Sequence, residues 1–204
     1  MNTNSNSLNV KPSLLNHVVI EHRDRVAEIA EYLQNTLDKL PSLKYVVDDD
    51  FNVEKIFLKL NADLPDGHVK AQKEYFISDI IRLCKLFSSL KTSPHMKVQI
   101  QIVKTNMCRF FHEDFYRQRL LCTYLGPGTE WLDHSNVNRK ALGKGCNANI
   151  VKDLNLVNRS KEFDVRLLKG ATYEGDEQSV IHRSPPIEKE GTTRVLLKID
   201  EYST

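Results

Sequence analysis

The chain has 204 residues, of which 40% are apolar and 27% charged, a composition typical of a globular protein with one hydrophobic core. The 29 basic and 27 acidic residues nearly balance, so composition gives no reason to expect nucleic acid or an anionic membrane as partner. The polar N-terminus has no apolar signal segment, and no run is long enough to span a membrane. The four cysteines form no C-x-x-C pair. We therefore expect a cytoplasmic protein with reduced thiols.

The first half of the chain is mainly helical by pattern. We expect residues 1–11, which are rich in Asn and Ser, to be disordered, and residues 12–204 to form a single domain. Apolar residues at three- and four-residue spacing predict helices over residues 26–37 and 69–90. Residues 44–47 form a short strand by pattern. Thus residues 12–94 should be the helical part of the domain.

From residue 95 onward, short strand patterns replace the helical ones. Residues 97–103 alternate between apolar and polar side chains, as a half-buried strand does. Turns rich in Gly, Pro and Asn separate the strands, which favours an antiparallel sandwich or barrel over βαβ units. We therefore predict an α+β protein in which the N-terminal helices pack against a β core formed by residues 95–204. Further strands are predicted over residues 119–124, 129–132, 163–168, 179–181 and 194–199.

The segment His112-Glu113-Asp114 carries the clearest sign of chemistry. In extended backbone, residues i and i+2 point to the same side, so His112 and Asp114 can bind one ion. His182, which follows a predicted strand and precedes a Pro-Pro turn, is the candidate third ligand. Two histidines and one carboxylate form the facial triad that binds Fe(II) in non-haem oxygenases. The sequence thus predicts one mononuclear metal site, and zinc, which accepts the same ligands, remains the alternative ion.

Arg194 begins the last predicted strand, after the Pro-Pro turn. We expect the segments around His182 and Arg194 to form a hairpin that brings the guanidinium to the metal site. Arginine binds carboxylates in bidentate fashion, and a 2-oxo acid that chelates iron would present such a carboxylate. Tyr124 and Asn106 are further candidates for hydrogen bonds to it. A core tyrosine and a turn asparagine are the alternative interpretations.

Several residues are candidates for supporting the ligands rather than binding metal. Glu113 should point away from the ion. His134 could substitute for a ligand and Cys108 could add a thiolate, although we expect an exposed histidine and a packed thiol. No catalytic nucleophile is predicted. The residues that we expect beside the ligands are Arg119, Arg183, Glu130 and Trp131, with Glu130 or a bound carboxylate as the partner of Arg119.

Two segments of the second half resemble the signatures of a known family. Residues 120–132 (LLCTYLGPGTEWL), and His182-Arg183-Ser184-Pro185 followed by residues 194–200 (RVLLKID), resemble those of a mainly bacterial family of unknown function. The resemblance covers most of the chain from about residue 98. It implies no substrate.

At the fold level the pattern is similar to the double-stranded β-helix, cupin-like or jelly-roll-like, of Fe(II)/2-oxoglutarate-dependent dioxygenases. The metal ligands of those enzymes match His112, Asp114 and His182, and their co-substrate arginine matches Arg194. This resemblance implies an oxidoreductase that uses Fe(II) and 2-oxoglutarate. The alternative is a non-catalytic, cupin-like protein that binds zinc.

Overall fold

Nine strands, four α-helices and four short 3₁₀ helices make up the regular structure of residues 17–48, 51–174 and 178–202, which this computed structural model describes. The predicted disorder of residues 1–11 lies outside these residues. The strands are β1 (His17–Glu21), β2 (Leu43–Val47), β3 (His95–Val103), β4 (Gln118–Leu125), β5 (Glu130–Leu132), β6 (Val157–Arg159), β7 (Val165–Lys169), β8 (Ile181–Arg183) and β9 (Arg194–Tyr202). The helices are α1 (Ala27–Thr36), α2 (Val53–Asp63), α3 (Lys70–Leu90) and α4 (Asn147–Ile150).

The strands form two antiparallel sheets. The large sheet has the order β1-β7-β4-β9-β3-β2, and the small sheet has the order β6-β5-β8. The predicted combination of helices and antiparallel strands is therefore confirmed. None of the helices in the described part of the chain is both long and apolar enough to cross a membrane.

One face of the large sheet packs against the helices. Alternate side chains of β4 and β9 point to this face, because successive residues of a strand point to opposite sides. They join a buried apolar cluster with α1 and α3, in which Phe76 contacts Tyr124 edge to face at 5.0 Å between ring centroids. The cluster members from the two strands are Leu120, Cys122, Tyr124, Val195, Leu197 and Ile199.

The other face of the large sheet turns toward the small sheet. Here Leu121, Leu168 and Leu196 form a smaller apolar cluster with Trp131 of β5 and with Val180. The remaining side chains on this face of β4 and β9 are mostly polar or charged, namely Arg119, Thr123, Arg194, Lys198 and Asp200. The polar and charged side chains of these two strands therefore lie mostly on the face toward the small sheet.

The predicted hairpin between the segments of His182 and Arg194 is wrong. β8 pairs with β5 in the small sheet, whereas β9 pairs with β3 and β4 in the large sheet. Pro185 and Pro186 have no amide hydrogen and cannot continue a ladder, so the chain leaves one sheet there and crosses to the other. Arg194 nevertheless lies beside the site, because the two sheets face each other.

Candidate metal centre

His112, Asp114 and His182 lie together as predicted, with one ligand atom of each within 4.8 Å of the others. The Nε2 atom of His182 is 3.2 Å from Asp114 Oδ2, and that of His112 is 3.8 Å from Asp114 Oδ1. The backbone explains this meeting of distant segments. His112 and His182 pair in an isolated antiparallel bridge, in which each amide donates to the other residue's carbonyl at 3.0 Å.

Hydrogen bonds fix which nitrogen of each histidine faces the cluster. Nδ1 of His112 lies 2.8 Å from the carbonyl oxygen of Phe110, and Nδ1 of His182 lies 3.3 Å from that of Val180. A carbonyl only accepts, so each Nδ1 carries the hydrogen and each Nε2 presents a lone pair. Two lone pairs and a carboxylate that converge need a cation or a proton between them. The donor set therefore fits a metal ion.

Charge and burial prepare the same residues for metal binding. Burial lowers the pKa of His112, and the neighbouring His182 lowers it further. Burial alone would raise the pKa of Asp114, but the adjacent imidazole of His182 and the charge of Arg119 outweigh burial and hold that pKa well below its usual range. At neutral pH these conditions favour a neutral imidazole at His112 and a carboxylate at Asp114, which are the forms that bind metals.

Arg119 supports the carboxylate ligand. Its Nη1 donates to Asp114 Oδ2, and its Nε donates to Asp200 Oδ1 at 2.5 Å. The partners of Arg119 are therefore Asp114 and Asp200 rather than Glu130, which corrects that expectation. Glu130 instead accepts from Arg183 Nε at 2.6 Å and from Arg159.

Arg194 is a fully buried guanidinium that has no carboxylate partner among the described residues. Its Nη1 donates to Ser184 Oγ at 3.1 Å, and its Nη2 donates to the hydroxyls of Thr123 and Thr129, each at 3.3 Å. Its Nε has no hydrogen-bond partner among the described residues. Burial lowers the pKa of Arg194 to about 10. A buried charge usually has an ion-pair partner, so an anion bound beside Arg194 would neutralise a charge that no carboxylate of the described residues pairs with.

Two cavities meet at the candidate ligands. The inner cavity, of about 80 Å³, lies between the sheets and is lined by His112, His182, Arg119, Thr129, Ser184 and Lys198 among others. The outer cleft, of about 630 Å³, is open to solvent and is lined by the segment from Thr105 to Phe110, His112 and Glu188. Because His112 lines both, an ion held by the three ligands would lie between the small inner cavity and the open outer cleft.

Two predicted co-substrate residues do not reach Arg194. Tyr124 points to the helix-facing side of the sheet, where its hydroxyl donates to Asp79 Oδ2 at 2.7 Å. Asn106 lines the outer cleft, and its Oδ1 accepts from the amides of Ile187 and Glu188 at 2.9 and 3.0 Å. Both expectations are corrected, and both follow the alternative interpretations of a core tyrosine and a turn asparagine.

The other singled-out residues surround the site. Arg183 lies over the ring of Phe111 at 4.6 Å, and Trp131 packs in the apolar cluster between the sheets. Cys108 is exposed rather than packed, which corrects the expectation for its thiol. His134 and Glu113 both contact Arg139, at 3.2 and 3.6 Å, and neither belongs to the ligand group.

Two glycines with a structural role at the site were not identified from the sequence. Gly126 has φ +83°, and a Cβ there would lie 2.5 Å from the carbonyl oxygen of Thr193 and 3.3 Å from the Cα of Arg194. A Cβ on Gly170 would lie 1.8 Å from the carbonyl oxygen of Tyr116 and 2.8 Å from that of Asp114. Only glycine lets the backbone pass so close to these residues. The G-P-G turn before Thr129 was the available signal.

Similar solved structures include three dioxygenases. A dioxygenase for auxin oxidation from rice has a TM-score of 0.44 at 13% identity, with 87% of this chain and 64% of that chain covered. The Fe(II)/(alpha)ketoglutarate-dependent dioxygenase TqaL has a TM-score of 0.44 at 12% identity, with 86% of this chain and 74% of that chain covered. The 2-oxoglutarate complex of a dioxygenase for auxin oxidation from Arabidopsis thaliana has a TM-score of 0.43 at 13% identity, with 88% of this chain and 73% of that chain covered. This chain thus spans less than two thirds of the rice protein, and TM-scores below 0.5 do not by themselves define its fold or activity.

Comparison by sequence gives a more definite result. No curated protein matches the chain. Residues 12–200 match the family described as "protein of unknown function (DUF1826)". That match includes the three candidate ligands, Arg194 and the G-P-G turn. The chain belongs to this family.

Proposed function

We propose that the protein is a mononuclear non-haem Fe(II) oxygenase that uses 2-oxoglutarate as co-substrate. The observation that carries the proposal is Arg194, a buried guanidinium without a carboxylate partner among the described residues, beside three convergent metal ligands. A metal-binding protein without a co-substrate needs the ligands but not this arginine.

The strand order supports a double-stranded β-helix as the scaffold. Four strands of the large sheet, in the order β7-β4-β9-β3, face the small sheet β6-β5-β8. The bridge between His112 and His182 adds a fourth position beyond β8. Two facing antiparallel sheets of four positions each are the layout of a jelly roll.

The residues have separate roles in this proposal. His112, Asp114 and His182 would hold Fe(II), which when bound supplies the chemistry of O2 and a binding point for an oxo acid. Arg194 binds the distal carboxylate of 2-oxoglutarate, and the hydroxyls of Thr129 and Ser184, which accept from Arg194, keep their own hydrogens for that carboxylate. The apolar side chains that restrict water in the inner cavity are Val103, Leu121 and Leu196.

We also propose that the helical part and the β part form one domain. Residues of α1, α3, β4 and β9 belong to one buried apolar cluster, so neither part has a complete core alone. We place the primary substrate in the outer cleft, because that cleft reaches His112 from the solvent.

The test is an anaerobic titration of the Fe(II)-loaded protein with 2-oxoglutarate, followed by absorbance. We expect the visible charge-transfer band of a chelated oxo acid. Arg194→Met should weaken 2-oxoglutarate binding by about 10- to 100-fold, since a charge-assisted hydrogen bond contributes about 1.5–3 kcal/mol. Arg25→Met, which removes a half-exposed arginine that pairs loosely with Glu162, is the control and should bind normally.

Zinc gives the contrary outcome. A wild-type protein that retains zinc tightly and shows no band with Fe(II) and 2-oxoglutarate would reject the oxygenase in favour of the zinc-binding alternative. Normal 2-oxoglutarate binding by Arg194→Met would reject the anchor while leaving the metal site in place.

A further inference from the structure

Lys198 is one of three basic residues that line the inner cavity, and the proposed function does not use it. Lys198 lies on β9 four residues after Arg194 and on the same face of the sheet. At about 3.3 Å per residue, the two Cα atoms are about 13 Å apart along the strand. Lys198 lines the cavity together with His112 and His182, whereas Arg194 lies behind the wall and donates to the lining residues Ser184 and Thr129.

Lys198 differs from the other cations around the cavity in its partners. Arg119 is paired with Asp114 and Asp200, and Arg183 is paired with Glu130. Among the residues that the structure describes, Lys198 has no hydrogen bond and no ion pair. Its side chain is half-buried, so the ammonium loses part of its hydration and no protein partner replaces that water.

The electrostatic environment of Lys198 is consistent with a binding position for an anion. Burial lowers the pKa of the Lys198 ammonium and Arg119 lowers it further, whereas Asp200 and Asp114 oppose this shift. Gln99 lies directly opposite on β3, and its side-chain oxygen is buried without a hydrogen-bond partner in the described structure. Lys198 is thus an unused donor in the cavity wall, and its cross-strand neighbour Gln99, whose side-chain oxygen makes no hydrogen bond in the described structure, does not pair with it.

We propose that Lys198 is a second anion-binding residue, which binds a carboxylate beside the metal ligands while Arg194 binds another one farther along β9. The inference rests on the proposed function, because that function supplies the carboxylates. Two sources share this chemistry. One is the carboxylate next to the oxo group of the co-substrate, and the other is a carboxylate of the primary substrate.

The first experimental arm measures oxo acids on the Co(II)-loaded protein by calorimetry without oxygen. The probes are 2-oxoglutarate and pyruvate, since pyruvate lacks the distal carboxylate. If Lys198 binds the carboxylate next to the oxo group, Lys198→Met weakens both about tenfold or more, and Lys198→Arg restores most of the affinity. Arg194→Met then weakens 2-oxoglutarate alone. Lys44→Met, on the exposed side of edge strand β2, is the matched control and leaves both unchanged.

The second arm adds acetate to the complex of protein, Co(II) and 2-oxoglutarate. If Lys198 serves the primary substrate, Lys198→Met leaves both oxo acids unchanged and weakens acetate about tenfold or more. If neither arm changes in Lys198→Met, the proposal is wrong and Lys198 is only an electrostatic neighbour of Asp114 and Asp200.

A labelling experiment on the wild type separates this inference from the proposed function and does not depend on the folding of a variant. Acetylation of Lys198 relative to Lys44 is measured by mass spectrometry, with and without Co(II), in the presence of pyruvate or acetate. Protection of Lys198 in a protein that binds no metal supports the anion site while the oxygenase proposal fails. Absence of protection with and without Co(II) overturns the anion site, even where the charge-transfer band supports the oxygenase.

Discussion

The two faces of the large sheet treat buried charge in opposite ways. On the helix-facing side, Asp79 accepts from Arg23 Nη1 at 2.6 Å and from the hydroxyl of Tyr124 at 2.7 Å. Arg23 also donates to the carbonyl of Phe163 at 2.8 Å. On the side that faces the small sheet, Arg194 is buried more deeply than this pair but donates hydrogen bonds only to hydroxyls, and one of its nitrogens has no hydrogen-bond partner in the described residues.

The difference separates charges that hold the fold from charges that are available to a ligand. A buried ion pair whose hydrogen bonds are complete belongs to the packing of the protein. A buried cation without an ion-pair partner destabilises the ligand-free protein, because its desolvation is not compensated. An anion that binds to it offsets that cost. Arg119 stands between the two cases, because it has a structural partner in Asp200 and a metal ligand in Asp114.

The largest predicted effect is on the paired side. Asp79→Ala should lower the free energy of unfolding by about 3–5 kcal/mol, because it leaves Arg23 buried without its counter-ion. Urea unfolding of the metal-free protein measures this. In contrast, Arg194→Met should leave the free energy of unfolding unchanged or raise it by about 1 kcal/mol. A similar loss of stability in both variants would contradict the comparison.

The next effect concerns the metal ligands. His182→Ala should reduce metal affinity more than about 100-fold, since loss of an outer partner of a ligand alone costs about 10- to 100-fold. Metal content after dialysis against a weak chelator is the measurement. His134→Ala is the matched control, because His134 contacts Arg139 outside the ligand group. Retention of metal by His182→Ala would show that the triad is wrong.

Gly126 tests how the backbone positions Arg194. Gly126→Ala should cost about 1–3 kcal/mol of stability and also weaken 2-oxoglutarate binding, because the added Cβ meets the backbone of Thr193 and Arg194. Gly143 also has a positive φ, +75°, but a Cβ there meets nothing within 4 Å. Gly143→Ala therefore controls for φ strain alone and should bind 2-oxoglutarate normally. Equal binding by the two variants would argue against a positioning role for Gly126.

The smallest predicted effect is on the acid limb of stability. Burial would raise the pKa of Asp79, but its hydrogen bond with Arg23 and the charge of Arg23 lower it overall. A carboxyl whose pKa is lower in the folded state stabilises the protein above its unfolded pKa of about 3.9 and loses that contribution as the pH falls toward the folded value. Asp79→Asn should therefore flatten the fall in unfolding free energy below about pH 5. An unchanged acid limb would exclude Asp79 as a main cause.

Local pattern was enough to predict the strands and helices with strong periodicity. α1, α3, β3, β4 and β9 lie within a few residues of the predicted bounds, because each combines a clear period with a Pro or Gly near its end. Helix α2 was not predicted, since its apolar residues alternate loosely. The signal was Asn52, whose side chain accepts from the amide of Lys55 at 2.9 Å and caps the helix.

The candidate site divides in the same way. His112 and Asp114 were predictable because they are two residues apart, and His182 and Arg194 because each adjoins a strand. Which sheet each strand joins depends on long-range pairing, so the hairpin was wrongly predicted. The face to which Tyr124 points depends on strand register, which the sequence around a β-bulge between Thr123 and Leu125 does not define.

The bridge between His112 and His182 would couple local opening of the backbone to metal binding. Two reciprocal backbone hydrogen bonds join His112 to His182 of β8, and a bound ion would crosslink the same two residues through their side chains. Binding to the native state alone raises the energy of local opening in proportion to the logarithm of metal concentration. The exchange of these two amides with deuterated solvent would therefore slow as the ion binds, so the exchange rate would report how much of the protein holds metal.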